Sequence, residues 1–118
     1  MPSLPRRLLR AEGLALLVAA LTLYFHLGFG WPLLVVLALA PDIAALGYLA
    51  GPRVGSTAYD FAHTEVWPIA LVVAGVLGGP EWLVQVALIW LVHIGADRSL
   101  GYGLKYPTGF KDTHLQRV

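Results

Sequence analysis

The chain contains no cysteine, and only 13% of its residues are charged. The lack of cysteine excludes disulfides, thiolate zinc sites, iron–sulfur clusters and cysteine nucleophiles. The low share of charge, about half that of soluble domains, excludes a disordered tail, a nucleic-acid reader with a basic face and an ordinary soluble enzyme. In contrast, 58% of the 118 residues are hydrophobic and the mean hydropathy is +0.70. This composition is typical of one domain embedded in a membrane.

Four apolar segments are long enough to cross a bilayer. From Gly13 to Pro41 there are 29 residues without Asp, Glu, Lys or Arg. Two glycines at 28 and 30, followed by Pro32, divide this run into two helices. The glycine- and proline-containing stretches 51–56 and 78–80 separate the others. At ~1.5 Å per residue, each predicted helix spans the hydrocarbon core of ~30 Å: residues 11–27, 31–50, 57–77 and 80–98.

The predicted fold class is therefore all-α. Residues 1–118 form one integral membrane domain, an up-down bundle of four transmembrane helices with an interfacial tail at 99–118. All eight basic residues lie before the first helix, in the 51–56 loop, or at or after the end of the last helix, so the positive-inside rule places that end and both termini in the cytoplasm. A cleaved signal peptide over residues 1–27 is disfavoured, because no small-x-small cleavage site follows Leu27.

Ionisable side chains within the predicted helices are the most informative residues, because they are costly in a bilayer unless they face protein or water. Measured from the cytoplasmic end, Asp42 lies ~12 Å deep, His63 ~9 Å and His93 ~8 Å. Asp97 follows His93 by one helical turn, so the two share a helix face. The similar depths predict that these groups converge. The candidate ligands for a divalent ion (zinc, manganese or iron) are Asp42, His63, His93 and Asp97.

Other polar residues near this level are candidates for chemistry around such an ion. Tyr59 and Asp60 share one face of the third predicted helix with His63. Asp60 is placed to ligate the ion or to orient a histidine, and Asp60 and Glu65 are the candidate catalytic carboxylates. The residues expected to contact substrate, especially an anionic group on it, are Arg98, Lys105, Tyr59 and Tyr102.

The same residues allow other interpretations. In a proton-coupled transporter or channel subunit, Asp42 and the histidines would titrate along a water-filled path, with a homo-oligomer completing its wall. Haem held by His63 and His93 is disfavoured by the neighbouring carboxylates. In a structural protein, Asp60 would cap a helix, Asp97 would form an interfacial charge pair and the histidines would link helices. No nucleophilic serine motif, phosphate-binding glycine loop or nucleic-acid patch is present.

Several short runs carry a resemblance to a known family: Pro41-Asp42-Ile43, Tyr59-Asp60-Phe61-Ala62-His63, His93-Ile94-Gly95-Ala96-Asp97-Arg98 and Gly101-Tyr102-Gly103-Leu104-Lys105-Tyr106-Pro107. Over nearly its whole length the chain resembles the small bacterial membrane proteins grouped as domain-of-unknown-function family 4260. The resemblance implies a multi-pass protein of the bacterial inner membrane, with the lipid bilayer as its partner, and no particular activity.

The chain is also distantly similar to inner-membrane proteins assigned as metal-dependent hydrolases. Those proteins have a Pro-Asp helix, a Thr-His-Ser element and a His-x-x-x-Asp motif, and the four candidate ligands occupy the corresponding positions. This sequence departs where Thr64 and Glu65 follow His63, and where Ala44 replaces a second aspartate. The missing aspartate argues against a two-metal site. The resemblance implies a metal-dependent hydrolase. The position of the candidate ligands near the cytoplasmic face predicts an amphiphilic substrate at that leaflet.

Overall fold

The computed structural model describes residues 3–108 and 110–118, and within these residues the chain is helical without a β-strand. The all-α prediction is confirmed. The elements are α1 (Leu4–His26), α2 (Trp31–Leu37), a 3₁₀ helix (Ala40–Ala50), α3 (Pro52–His63), α4 (Val66–Val76), α5 (Glu81–Leu100) and the short α6 (His114–Arg117).

Helix α5 lies at the centre of the bundle and contacts α1, α2 and α4. Helix α1 runs antiparallel to it, since Gly13 packs on Arg98 near one end and Tyr24 accepts a hydrogen bond from Gln85 near the other. At Gly95 a β-carbon would lie 2.7 Å from the backbone nitrogen of Leu17, so only glycine allows this approach. The core between these helices contains Ala20, Tyr24, Leu88, Ile89, Leu91 and Val92.

The 3₁₀ helix and α3 form a second antiparallel pair. They are joined at Gly51, whose φ of 112° favours glycine. The ring of Tyr48 lies directly over Gly55, where any β-carbon would collide with it. This close packing brings Asp42, on the 3₁₀ helix, opposite His63 at the end of α3.

Helix boundaries around the first and third helices differ from the predicted ones. The predicted loop at 51–56 is wrong, because α3 begins at Pro52, a residue suited to the first helical position. Helix α1 begins at Leu4 instead of residue 11, because Ser3 Oγ accepts a hydrogen bond from the backbone nitrogen of Arg6 at 3.2 Å and caps the helix. The predicted helix at 57–77 is divided into α3 and α4 by extended backbone at Thr64, whose ψ is 142°. Pro68 has no amide hydrogen to bond the Thr64 carbonyl, so a continuous helix would lack a hydrogen bond at this point.

The second predicted helix, 31–50, changes its winding halfway. It is α-helical to Leu37 and continues as the 3₁₀ helix from Ala40, with Pro41 in its first turn. The amide of Asp42 donates to the carbonyl of Leu39 at 3.1 Å, three residues back rather than four. The fourth predicted helix, 80–98, corresponds to α5 and extends two residues further.

Three segments are long and apolar enough to cross a membrane: Leu4–His26, Trp31–Ala50 and Glu81–Leu100. Large apolar side chains also cover the outer surface, and Leu49 and Leu77 are more than four-fifths exposed. A continuous apolar surface of this kind is unfavourable in water, which supports membrane association. Because of the break at Thr64, α3 and α4 are each too short to cross a bilayer alone.

The tail after α5 folds back over the bundle. The backbone nitrogen of Lys105 donates to Asp60 Oδ1 at 2.5 Å, and Lys105 pairs with Thr113 in an antiparallel bridge. Arg6 of α1 donates to the carbonyl of Gln116 at 2.7 Å. The tail therefore packs on the same end of the molecule as the start of α1 and the end of α5.

Candidate metal centre

The four predicted ligands meet where α5 faces the 3₁₀ helix and the end of α3. We call them the Asp/His cluster: Asp42, His63, His93 and Asp97. Their ligand atoms all lie within 4.8 Å of one another. The Nε2 atoms of His63 and His93 are 3.0 Å apart, and each lies 3.2–3.4 Å from an oxygen of Asp42 and an oxygen of Asp97. A group that can bind a metal ion is therefore present.

The orientation of His93 follows from the change of helix type near Ala38. Pro41 has no amide hydrogen, and the amide of Asp42 donates to the carbonyl of Leu39. Neither residue therefore donates a hydrogen bond to the carbonyl of Ala38. His93 Nδ1 lies 2.5 Å from that carbonyl oxygen. Because a carbonyl can only accept, Nδ1 carries the hydrogen, and in a neutral His93 the Nε2 lone pair points into the cluster.

His63 is held in the same way from its own helix. Its Nδ1 lies 2.8 Å from the carbonyl oxygen of Tyr59, one turn earlier. Nδ1 is again the donor, so a neutral His63 also presents the Nε2 lone pair to the cluster. Hydrogen bonds from the second ring nitrogen to a carbonyl are the usual supports of metal-ligating histidines.

The cluster thus gathers four lone-pair acceptors in one small space. Two unprotonated nitrogens at 3.0 Å, next to two carboxylates, repel one another unless a cation or a shared proton lies between them. At bond lengths of about 2.0–2.2 Å, ligand atoms around tetrahedral zinc lie about 3.4 Å apart. The nitrogen–oxygen distances of 3.2–3.4 Å match that separation, and the two nitrogens, 3.0 Å apart, are closer than it.

Burial differs among the cluster residues and defines the side from which the cluster is reached. The side chains of His63 and His93 are 0% and 6% exposed, that of Asp97 is 18% exposed and that of Asp42 is 50% exposed. Asp42 is therefore the member of the cluster that borders the surroundings, and the histidines lie at its inner end.

Side chains of α5 satisfy the carbonyl groups at the end of α3. Because the helix stops at Thr64, the carbonyls of Ala62 and His63 lack intrahelical donors. Trp90 Nε1 donates to Ala62 at 2.5 Å, and the Arg98 guanidinium donates to His63 at 2.8 Å and to the Tyr102 carbonyl at 3.0 Å. Arg98 is buried, so in this structure it positions a ligand helix and the tail.

Tyr59 and Lys105 pack behind His63. The Tyr59 ring stacks on the His63 ring, with centroids 3.7 Å apart and an interplanar angle of 9°. The Lys105 ammonium lies 4.4 Å from the Tyr59 centroid and donates to the carbonyl of Phe110 at 2.7 Å. Burial lowers the pKa of Lys105 below its ordinary value.

Six of the predicted site residues are not cluster members; Arg98, Tyr59 and Lys105 pack around the cluster as described above, and the other three are placed differently. Asp60 bonds the backbone of Lys105, and Tyr102 has an exposed side chain. Glu65, just after the break in the helix, is exposed and lines a separate groove. The structure does not bring these side chains to the Asp/His cluster, and roles for them in catalysis or substrate binding stay predictions.

The sequence prediction missed the backbone supports of the cluster. In an α-helix Pro41 would free the carbonyl of Leu37, whereas the 3₁₀ winding frees that of Ala38. The prediction also missed the bond from Trp90 to the end of α3. Pro41, next to Asp42, and Pro68, five residues after His63, were the signal that backbone carbonyls near the site are released.

Taken together, the fold and the cluster define a small helical, membrane-associated protein with a candidate metal centre. The chain belongs to the family described as domain of unknown function DUF4260, whose sequence profile matches residues 6–118. The family resemblance is thereby confirmed. No curated protein and no solved structure shows a significant match to the chain. The hydrolase resemblance therefore rests on the residues of the Asp/His cluster.

Beside the centre, the tail depends on a neutral His114. Its Nδ1 accepts a hydrogen bond from the backbone nitrogen of Leu104 at 2.8 Å. Burial, followed by the positive charge of Arg98, lowers the pKa of His114 below its ordinary value near 6.5, while Asp60 acts in the opposite direction. Glu65 and His114 line one groove. The folded tail consequently binds fewer protons than the unfolded tail just below pH 6.5.

We expect the tail to loosen progressively as the pH falls from about 6.5 toward the lowered pKa of His114, and to be most stable above about pH 6.5. Amide hydrogen exchange of residues 104 and 114, corrected for intrinsic rates, measures this. His114→Asn keeps an acceptor near the Nδ1 position but does not titrate, so its exchange should not change over this range. Equal pH responses in the two proteins would contradict the role of His114.

Proposed function

We propose that the chain is a metal-dependent hydrolase of the membrane that acts on an amphiphilic substrate. The observation that carries the proposal is the convergence of two Nε2 atoms and two carboxylate oxygens at 3.0–3.4 Å. Two histidines with a carboxylate form a ligand set of catalytic zinc sites. When bound, a divalent ion supplies Lewis acidity and lowers the pKa of water to about 7.

The burial of the cluster assigns different roles to its members. His63, His93 and Asp97 are the fixed ligands, because they are buried or nearly so and both histidines are held by backbone carbonyls. Asp42, half exposed, lies where water and substrate arrive. Its carboxylate remains within ligand distance and is placed to accept a proton from the attacking water.

The residues around the cluster keep these groups in position. Arg98 and Trp90 fix the end of α3 through its last carbonyls, and the Tyr59 ring holds the plane of His63. The Lys105 ammonium lies 4.4 Å from the centroid of the Tyr59 ring behind His63, so it adds positive potential on the tail side. An anionic substrate group is favoured there.

The same proposal includes a four-span topology in the bacterial inner membrane. Helices α3 and α4 together span residues 52–76 and cross as one broken segment, with Thr64 and Glu65 on a groove that α5 and the tail also line. The start of α1, the end of α5 and the tail meet at one end, where Arg10 Nε donates to the Ser99 carbonyl at 3.1 Å. This basic end is assigned to the cytoplasm.

The test combines metal content with hydrolysis by the full chain reconstituted in liposomes. We expect one divalent ion per chain, and hydrolysis of para-nitrophenyl laurate that stops after chelation and returns when the metal is restored. Asp42→Asn should lower the rate by at least about 100-fold, as expected for loss of a general base. Protein without metal that conducts protons, with a flux abolished by Asp42→Asn, would replace the hydrolase with the transporter. Protein with neither metal nor flux would leave a structural role.

A further inference from the structure

An apolar groove lies directly beside the Asp/His cluster, between the 3₁₀ helix and α5. Its volume is about 300 Å³, the lower end of the range for ligand pockets. Three alanines leave this space open, and larger apolar side chains form its walls. The groove is lined by Leu37, Ala40, Pro41, Ala44, Ala62, Val86, Ile89 and Trp90.

The groove offers no side-chain hydrogen bond to a ligand. All of its lining residues are apolar except for the indole nitrogen of Trp90, and that nitrogen donates to the carbonyl of Ala62. An apolar cavity without polar partners does not hold ordered water. Within a bilayer, the occupant that matches this chemistry is a hydrocarbon chain.

The groove adjoins the cluster on each of the three elements that carry a cluster residue. Pro41 precedes Asp42, and Ala62 precedes His63. On α5, Ile89 lies one turn before His93, further from the end of the bundle that carries the tail. A molecule extending from the cluster into the groove therefore passes from charged to purely apolar surroundings within about one helical turn, ~5 Å.

We propose that this groove binds a single alkyl chain of the amphiphilic substrate, with the polar end of the substrate at the Asp/His cluster. The inference rests on the proposed function for the identity of the polar end. The chain points from the cluster toward the middle of the bundle, as does the chain of a lipid in the leaflet nearest the tail. Asp42 stands at the exposed side of the cluster, so the substrate enters sideways from the bilayer.

Trp90 provides a direct measurement of chain binding. A variant with Trp31, Trp67 and Trp82 replaced by phenylalanine keeps only the indole in the groove. This protein, in vesicles of unbrominated phospholipid, is titrated with a lysophospholipid whose acyl chain is brominated and quenches indole fluorescence. A second variant keeps only Trp67, which is 43% exposed on α4 and reports contact with bulk lipid.

Quenching of Trp90 is expected to saturate at one brominated chain per protein, whereas quenching of Trp67 should follow the mole fraction of quencher. Ala44→Phe fills the groove and should abolish the saturable part, and the smaller Ala44→Leu should weaken it. Ala50→Phe, at an exposed position of the same 3₁₀ helix, makes the same change outside the groove and should leave it intact. Quenching of Trp90 that never saturates, or that Ala44→Phe leaves unchanged, would overturn the proposal.

Metal content measured on the same samples separates this proposal from the proposed function. Bound metal without saturable quenching would reject the groove and leave the metal centre standing. Saturable quenching in a protein that binds no metal would support the groove as a chain-binding site and reject the hydrolase. Ala44→Phe should retain its metal, because Ala44 is not a ligand.

Discussion

Replacing His63 with alanine is expected to lower the affinity of the protein for zinc by at least about 100-fold. Loss of a mere supporting group around a metal typically weakens binding by about 10–100-fold, and His63 supplies a ligand atom itself. Its Nε2 lies within 3.4 Å of both carboxylates and of His93. Isothermal titration of chelator-treated protein in detergent with zinc measures the change.

His26→Ala provides the matched control. This histidine ends α1 on an exposed position, outside the Asp/His cluster, so its loss should leave zinc affinity within about twofold. Thermal unfolding of both variants in the absence of metal verifies that each is folded. If His63→Ala and His26→Ala bound zinc equally well, His63 would not be a ligand.

Replacing Gly95 with alanine is expected to destabilise the bundle by about 1–3 kcal/mol or more, the usual range for overpacking. The added β-carbon would lie 2.7 Å from the backbone nitrogen of Leu17 and 2.9 Å from the backbone oxygen of Gly13. Backbone atoms of a packed helix cannot rotate away, so α1 must move from α5. The midpoint of thermal unfolding in detergent should fall accordingly.

Gly30→Ala tests whether any lost glycine has this effect. Gly30 lies at the start of α2 with a φ of −88°, and a β-carbon there would meet only Pro32, at an ordinary distance of 3.5 Å. We expect a loss of about 1 kcal/mol or less, since alanine is a poorer N-cap than glycine. Equal losses at both positions would show that the α1–α5 contact is not as tight as the structure indicates.

The convergence of the cluster was predictable because its residues lie at similar distances along their helices from one membrane surface. Counting residues from a common membrane surface placed Asp42, His63 and His93 at one level, and the spacing of Asp97 from His93 gave a shared face. Neither argument needs tertiary information. Both depend on each residue being helical and on neighbouring helices being antiparallel, and the very short turns enforce the second condition.

The surroundings of the cluster were less predictable, because they depend on local departures from the α-helix. The break at Thr64 and the 3₁₀ winding from Ala40 each release backbone carbonyls, and which side chain then binds them depends on packing between elements. Asp60 illustrates the difficulty. Its spacing suits a ligand, but the backbone nitrogen of Lys105 in the tail, forty-five residues later, donates a hydrogen bond to its carboxylate.

X-ray absorption at the zinc edge tests the central claim most directly. The full chain, loaded with one zinc ion per molecule, should show nitrogen and oxygen neighbours at about 2.0–2.2 Å together with the multiple-scattering pattern of two imidazole rings. His63→Ala should retain the pattern of one ring at most. A spectrum without imidazole in the unmodified protein, or one that His63→Ala does not change, would contradict a metal ion held between His63 and His93.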